Sequence, residues 1–281
     1  MLWLTYPLLL QEEILFATCP ECIAGMLFTP KLDPAEAVLI TGAERFGAHE
    51  GYHDSLSFVG PFADTTPTLK ERGTRHGDLS DGDTLAVTVT AFDAVFYPRG
   101  TGLAAQLASP AILRELLKAT VAFGGGGAKP GTSAEGPLPE IAPGAPVATG
   151  NWGCGVFNGH AQLKAVLQWL AVAEAGRPMH YYPFGNPVGA ALEAATLLLP
   201  PQRPLPARLL FQALGEWSAR FLDAPPDVQA ALSDTLLVDV TRRRAEGRGA
   251  AAARGAALSW PRCRTSMHCI RKLRTYGSHW Q

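Results

Sequence analysis

Two adjacent glutamates, Glu12 and Glu13, stand in the apolar stretch LLLQEEILF near the start of the sequence. Neighbouring residues on a helix point about 100° apart, as follows from 3.6 residues per turn. The two carboxylates therefore cannot flank one bond symmetrically, as two distant carboxylates can. One of them could reach a reacting bond while the other binds a neighbouring hydroxyl. Favourable placement of negative charge at a helix N-terminus is the simpler alternative, and the pair alone favours that alternative.

A second candidate site is the Gly-rich stretch TGNWGCGVFNG, residues Thr149 to Gly159. Its glycines allow backbone N–H groups to approach a ligand, and the helix predicted to follow adds positive potential, which suits a phosphate or pyrophosphate. A tight strand-to-helix turn without a ligand is equally compatible with this spacing. A dinucleotide site would require an acidic residue at the end of the next strand. That strand ends YPFGNP, so the nicotinamide alternative weakens.

Three other motifs favour structural roles. CPEC, from Cys19 to Cys22, has zinc-like spacing, but the only other close set of zinc-binding residue types is Cys263, His268 and Cys269, in the predicted tail. The run Gly124–Gly127 lacks the Gly-Lys-Ser/Thr of a phosphate-binding P-loop and is interpreted as a linker. Asp93 lies in a predicted strand, where it could cap or orient a loop, and we assign it no chemistry.

The elements that must position these residues alternate between strands and helices. This order predicts an α/β sheet with helices on both faces. The predicted helices cover 11–28 (with a break at Cys19-Pro20), part of 103–121, 161–174, 189–199 and 207–222, and the predicted strands cover 37–41, 84–97 and MHYYPFG. Polar or Gly- and Pro-rich loops are predicted for 43–83 and 123–146.

Composition restricts the classes of partner. The chain has 281 residues and a net charge of −1, but ten of its 24 Lys and Arg residues and only one acid follow residue 241. Residues 1–241 thus carry a net charge of −10, which argues against direct DNA binding by the body of the protein. Residues 224–281 are predicted to form an Arg-, Ala- and Gly-rich disordered tail.

No apolar run has the length of a membrane span, so no membrane association is expected. The first ten residues are apolar, but they lack the positive region and the cleavage site of a signal peptide. Five cysteines at irregular spacing argue against a disulfide framework. An intracellular, reduced protein is therefore predicted.

The segments QEEILF, VLITGAERFGAHEGY, AFDAVFY, ATGNWGCGVFNGHAQLKAVLQ and YYPFGN, in this order, resemble the catalytic domain of poly(ADP-ribose) glycohydrolase. The resemblance extends from about Gln11 to Leu222 and predicts a catalytic domain over residues 1–223. It implies a macrodomain-like mixed β-sheet flanked by helices in three α/β/α layers. It further implies hydrolysis of the ribose–ribose O-glycosidic bonds of poly(ADP-ribose), without a cofactor or a metal.

The resemblance also implies individual roles. Glu13 matches the general acid/base, Glu12 matches the glutamate that holds ribose hydroxyls, and Gln11 completes the motif. A diphosphate-binding loop is matched from Asn151 to Phe157, including Gly153, Gly155 and Val156. Phe184 matches an aromatic residue near the adenosine. The implied partners are poly(ADP-ribose), ADP-ribose and poly(ADP-ribosyl)ated proteins, in the nucleus or cytoplasm and in the DNA damage response.

The sequence departs from the family pattern at two places. Leu8 to Leu10 stand where the family has a Gly-Gly-Gly loop, and His49 stands where many members have an adenine-stacking tyrosine, although Tyr52 remains. We therefore expect a domain that is shortened at its N-terminal side, binds ADP-ribose poorly and turns over little polymer. One alternative is a reader of ADP-ribose without hydrolysis. Another is an interaction protein whose residues 242–274 dock acidic partners.

Overall fold

A computed structural model describes residues 11–27, 29–68, 84–124, 144–199 and 206–245. The chain divides into two compact units. The described part of the amino-terminal unit ends at Phe92, and that of the second unit consists of residues 93–124, 144–199 and 206–245. The catalytic domain predicted over residues 1–223 includes described residues of both units. Leu8–Leu10, Cys263, His268, Cys269 and most of the Gly124–Gly127 run lie outside the described residues.

In the described ranges of the amino-terminal unit there are two short α-helices and four strands. Its helices are α1 (Gln11–Thr18) and α2 (Glu21–Gly25), and its strands are β1 (Val38–Thr41), β2 (Gly47–Glu50), β3 (Ser57–Pro61) and β4 (Thr88–Ala91). Strand β1 pairs with β4, and β2 pairs with β3, both in antiparallel register. The break between α1 and α2 falls at Pro20, as predicted, because proline is tolerated at the start of a helix but not in its interior.

Apolar contacts hold α1 and α2 in place. The side chains of Phe16, Cys19 and Cys22 are buried together with Ala43, and Ile40 of β1 packs against them. The carbonyl of Thr18 accepts a hydrogen bond from Phe46 N, at 2.9 Å. This contact ties the end of α1 to the segment that leads into β2.

The second unit is mainly helical. It comprises α3 (Leu103–Gln106), α4 (Ser109–Phe123), β5 (Val147–Gly150), α5 (Ala161–Glu174), β6 (Met179–Tyr182), α6 (Val188–Leu197), α7 (Ala207–Leu222), α8 (Pro226–Ser233) and α9 (Leu236–Ala245). Strands β5 and β6 pair in parallel, and α5 connects them as a βαβ crossover. Every residue of α5 from Leu163 to Ala173 is buried, with α4, α6, α7 and α9 packed around it. The βα boundary that carries the Gly-rich loop is thus anchored in the core.

Three sequence expectations differ from the structure. The predicted strand 84–97 shortens to β4, and beyond its end Val95 N donates to the side chain of Glu115 instead of to a strand neighbour. The predicted loop 43–83 contains the hairpin β2–β3, whose Gly- and Pro-containing strands give no clear alternation. The predicted tail begins with α8, which has no buried residue, and α9, which is anchored by the fully buried Leu236, Leu237 and Val240. Residues 246–281 of that tail lie outside the described part of the chain.

Candidate functional site

Helix α1 presents its two carboxylates in its first turn. Ile14 and Phe16 face the core, whereas Glu12 is exposed and Glu13 is half-buried. Gln11, the first residue of the helix, is exposed as well. The two glutamates therefore occupy different environments, as the 100° angular separation on a helix requires. One carboxylate is freely open to solvent and the other is partly enclosed by the unit.

Tyr52 lies beside this helix N-terminus. Burial raises the pKa of its phenol, the carboxylates of Glu12 and Glu13 raise it further, and a hydrogen bond with the backbone of Gln11 opposes them. The side chain is nevertheless 53% exposed. An aromatic ring thus stands next to both carboxylates and remains accessible to a ligand.

The backbone around Tyr52 is fixed by a tight turn. Its N–H donates to Ser55 Oγ at 3.0 Å, and that hydroxyl donates back to the Tyr52 carbonyl at 2.8 Å. Gly51 has a φ of +76°, and a Cβ at this position would lie 2.1 Å from the Ser55 carbonyl oxygen. Glycine is therefore required here, and it directs the chain so that Tyr52 reaches α1.

His49 of β2 lies against the side chain of Arg45. Arg45 donates a hydrogen bond of 3.3 Å to His49 Nδ1, and the Arg45 guanidinium lies 4.2 Å from the centroid of the Phe62 ring. Burial and the charge of Arg45 lower the pKa of His49. The imidazole is thus a neutral, partly enclosed ring. Tyr52, which the sequence analysis noted only in passing, is the aromatic side chain that lies beside the glutamates.

In the second unit, the Gly-rich loop connects β5 to α5. Internal hydrogen bonds define its shape: Cys154 N donates to the Asn151 carbonyl at 3.0 Å and Gly159 N donates to the Gly153 carbonyl at 2.8 Å. The N–H groups of Gly155, Val156 and Phe157 donate no hydrogen bond to any described residue. Gly155 and Val156 are exposed, and Phe157 is partly so. Three consecutive backbone donors are therefore available to an anion, in the manner of other backbone anion sites.

Asn151 fixes the start of this loop. Its Nδ2 donates to the carbonyl of Pro183 at 2.8 Å, and its Oδ1 accepts from the hydroxyl of Tyr181 at 3.0 Å. Gln168 of α5 donates to the Gly150 carbonyl at 3.0 Å. Both polar atoms of the Asn151 amide thus have protein partners. This geometry gives Asn151 a positioning role for the loop.

Phe184 belongs to the same surface. Its ring lies 3.3 Å from the position that a Cβ on Gly150 would occupy, so it packs directly over the end of β5. It has a φ of +49°, which is unusual for a residue with a side chain, and is 60% exposed. The structure thus brings Phe184 together with the loop from Asn151 to Phe157. Gln11, Glu12, Glu13, His49 and Tyr52 belong to the amino-terminal unit.

Sequence reasoning missed a buried cation beneath the loop. Lys164 of α5 is 1% exposed, forms an ion pair with Glu115 of α4, and has its Nζ 4.1 Å from the centroid of the Trp152 ring. The available sequence signal was a lysine between the apolar residues Leu163 and Ala165 of a predicted helix. Phe96 was also missed, and its ring contacts that of Phe157 edge to face at 5.9 Å.

A cavity of about 460 Å³ borders the loop at Cys154 and Asn158. Its other walls come from α3, the first turn of α5, the segment after Phe184, and Asp234. No group of three or more His, Cys, Asp or Glu side chains in the described ranges is arranged to hold a metal ion. None of the helices that the structure describes is long and apolar enough to cross a membrane.

Residues 7–190 match the family described as "Poly (ADP-ribose) glycohydrolase (PARG), Macro domain fold". Probable poly(ADP-ribose) glycohydrolase 2 of Arabidopsis thaliana is 36% identical over 207 residues, covering 63% of this chain and 36% of that protein. Poly(ADP-ribose) glycohydrolase 1 of Caenorhabditis elegans is 36% identical over 184 residues, covering 64% of this chain and 21% of that protein.

Poly(ADP-ribose) glycohydrolase 1 of Arabidopsis thaliana is 32% identical over 232 residues, covering 62% of this chain and 39% of that protein. The matches therefore span between about a fifth and two-fifths of the length of these relatives. The part of this chain that matches the family, residues 7–190, contains both α1 and the Gly-rich loop.

Proposed function

Because the chain belongs to the poly(ADP-ribose) glycohydrolase family, with its macro domain fold, we propose that it hydrolyses the ribose–ribose O-glycosidic bonds of poly(ADP-ribose) and releases ADP-ribose. The observation that carries this proposal is the pair of carboxylates in the first turn of α1, with an accessible aromatic ring, Tyr52, beside them. The glycosidic bond needs a proton donor at its leaving oxygen and a group that binds the neighbouring hydroxyls.

The different exposure of the two carboxylates supports a division of labour. Glu13, which is half-buried, is the proposed general acid: it protonates the leaving ribose oxygen as an oxocarbenium-like centre develops. Its carboxylate then takes a proton from the attacking water, which restores the acid. Glu12, which is exposed, accepts hydrogen bonds from ribose hydroxyls and orients the sugar. No metal ion enters these steps.

The Gly-rich loop is the proposed diphosphate-binding element. The available N–H groups of Gly155, Val156 and Phe157 can donate to phosphate oxygens without an arginine or lysine side chain at the surface. Gly153 permits the tight backbone turn before them, at a φ of +71°. Phe184, exposed over the end of β5, offers a face on which an adenine can stack. This local arrangement accounts for anion binding by a protein body that carries net negative charge.

The test is release of ADP-ribose from purified poly(ADP-ribose), measured by chromatography, together with calorimetric binding of ADP-ribose. We expect Glu13→Gln to lower turnover by roughly 10²- to 10⁴-fold while it leaves ADP-ribose binding nearly unchanged. Glu21→Gln is the matched control, because Glu21 is an exposed glutamate in the first turn of α2. It should leave turnover unchanged.

Each other outcome has a defined meaning. Full activity of Glu13→Gln would remove Glu13 from the mechanism. Binding of ADP-ribose without any polymer hydrolysis by the unaltered chain would favour a non-catalytic reader. Absence of both binding and hydrolysis would refute the proposed function.

The proposal also covers the layer arrangement of the domain, its partners and its location in the cell. We infer a mixed sheet between two helical layers, and the parallel β5–α5–β6 crossover supports this arrangement. The proposed partners include poly(ADP-ribosyl)ated proteins in the nucleus or cytoplasm, in keeping with a role in the DNA damage response. The net negative charge of residues 1–241 argues against direct contact with DNA.

A further inference from the structure

We propose that Lys164, through its buried ion pair with Glu115, is a positioning residue that sets the conformation of the loop from Asn151 to Gly159. One consequence of this inference rests on the proposed function: the diphosphate should bind more weakly when the loop loses its fixed conformation. The structural part of the inference concerns the loop alone. It does not depend on turnover.

The contacts of Lys164 place its ammonium directly under the loop. Nζ donates to Glu115 Oε2 and lies 4.1 Å from the centroid of the Trp152 ring. A Cβ on Gly153 would lie 2.9 Å from Nζ, and a Cβ on Gly159 would lie 2.8 Å from Cε. The lysine stem therefore fills the space beneath both glycines, which are joined to each other by the Gly159 N to Gly153 O hydrogen bond.

Stability alone is a poor reason for a buried ion pair at this place. Two charges lose their hydration on burial, and well-packed apolar residues of similar size are often as stabilising. A desolvated ammonium over an aromatic face, by contrast, gains a directional contact that an apolar side chain cannot provide. At this site the directional contact is with Trp152, the second residue of the loop. The ion pair with Glu115 holds the Lys164 ammonium at the Trp152 ring, and in this way it fixes the geometry of the loop.

The surrounding charges support a role near an anion. Glu115 also accepts from Arg114 at 2.9 Å, Arg114 in turn pairs with Asp93, and Lys118 donates to Asp93 at 2.6 Å. When Lys164 is protonated, three cations thus share two carboxylates and leave a local excess of one positive charge. Burial, together with the charge of Arg114, lowers the pKa of Lys164 to about 7. Within this network, Lys164 is the cation that lies against Gly153 and Gly159 of the loop.

Amide hydrogen exchange of the ligand-free chain tests the structural part. The N–H groups of Cys154, Asn158 and Gly159 donate to carbonyls within the loop, and that of Trp152 donates to the Gly150 carbonyl just before it, so their exchange reports the order of the loop. Lys164→Met should accelerate exchange in peptides covering residues 151–159 by roughly tenfold or more. Lys118→Met is the matched control, because Lys118 is an equally buried lysine whose ion pair is with Asp93 instead of Glu115. It should leave exchange of the loop unchanged.

A double variant separates loop order from stability. Lys164→Met alone leaves the buried Glu115 carboxylate without its lysine partner. Adding Glu115→Gln removes this negative charge and keeps a side-chain oxygen that can accept from Val95 N. The combined variant should regain part of the melting temperature lost by Lys164→Met, yet its loop should still exchange rapidly. Calorimetry should show the ADP-ribose dissociation constant raised about tenfold in both.

The outcomes distinguish the two proposals. Loop exchange in Lys164→Met that matches the Lys118→Met control would overturn the positioning role, whatever the activity of the chain. Accelerated exchange in a chain that neither binds ADP-ribose nor hydrolyses polymer would support the positioning role and refute the proposed function. Accelerated exchange with an unchanged dissociation constant would overturn the link between loop order and diphosphate binding.

Discussion

Tyr181 donates a hydrogen bond of 3.0 Å from its phenolic hydroxyl to Oδ1 of Asn151. Tyr181 is fully buried in β6, and burial raises the pKa of its phenol beyond the ordinary range. A neutral, immobile donor thus fixes the orientation of the Asn151 amide, whose Nδ2 then faces the Pro183 carbonyl. The first residue of the loop is held by the strand that lies parallel to β5.

Changing Asn151 to aspartate should test this relationship. The carboxylate can still accept from Tyr181, but it places a second acceptor against the Pro183 carbonyl and adds negative charge at the start of an anion-binding loop. We expect the ADP-ribose dissociation constant to rise by more than about tenfold. Tyr181→Phe, which removes one hydrogen bond, should cost about 1 kcal/mol of unfolding free energy. Equal affinity of Asn151→Asp and the unaltered chain would contradict this account.

Gly153→Ala should damage the loop for a steric reason. Its φ of +71° disfavours a side chain, and the new Cβ would lie 2.7 Å from Ala94 Cβ and 2.9 Å from Lys164 Nζ. We expect a loss of about 2 kcal/mol in unfolding free energy, measured by denaturant titration, with weaker ADP-ribose binding. Gly102→Ala is the control, because Gly102 has an ordinary φ of −67° and open space around it. A similar small effect of both substitutions would count against the steric argument.

Tyr52 should act on substrate affinity more than on the chemical step. Tyr52→Ala removes the ring beside Glu12 and Glu13, so KM for polymer should rise about tenfold while kcat changes less. Tyr52→Phe keeps the ring and should show a smaller effect. Phe58→Ala is a control in the same unit, since Phe58 is an aromatic residue of β3 that is 72% exposed. Steady-state kinetics in which all three variants behave alike would remove the specific role of Tyr52.

His160 should make stability depend on pH. Its Nδ1 accepts from Leu163 N at 3.4 Å and caps α5, and burial lowers its pKa below the ordinary 6.5, with Asp234 opposing. The unfolded chain therefore binds the proton more readily than the folded chain. Stability is fully present above pH 6.5 and is lost as the pH falls toward the folded-state pKa, by up to about 1.4 kcal/mol per pH unit.

His160→Asn keeps a capping side chain and removes the titration. Urea unfolding at pH 7 and pH 5.5 should show a smaller loss of stability in this variant than in the unaltered chain. The comparison isolates His160, because His49 and the other titrating groups are the same in both proteins. Identical pH dependence would exclude His160 as the cause.

Local patterns in the sequence predicted much of the framework. Helix α5 follows from the apolar spacing of Leu163, Val166, Leu167 and Leu170, and the break at Pro20 follows from the chemistry of proline. The Gly-rich loop could be placed between a strand and a helix because its glycines stand directly between the two local patterns. Composition predicted a disordered tail after residue 223, but α8 and α9 lie there. In α9 the burial of Leu236, Leu237 and Val240 outweighs the polar average composition.

The sequence by itself determined the family, the adjacent carboxylates and the position of the Gly-rich loop, because motif and spacing are properties of neighbouring residues. Only the tertiary structure decided which side chains support them. Tyr52 lies near Glu12 although some forty residues separate them in the sequence, and Lys164 of α5 forms an ion pair with Glu115 of α4. Such contacts depend on the packing of separate elements, and side-chain burial and ion pairing arise from that packing rather than from any local pattern.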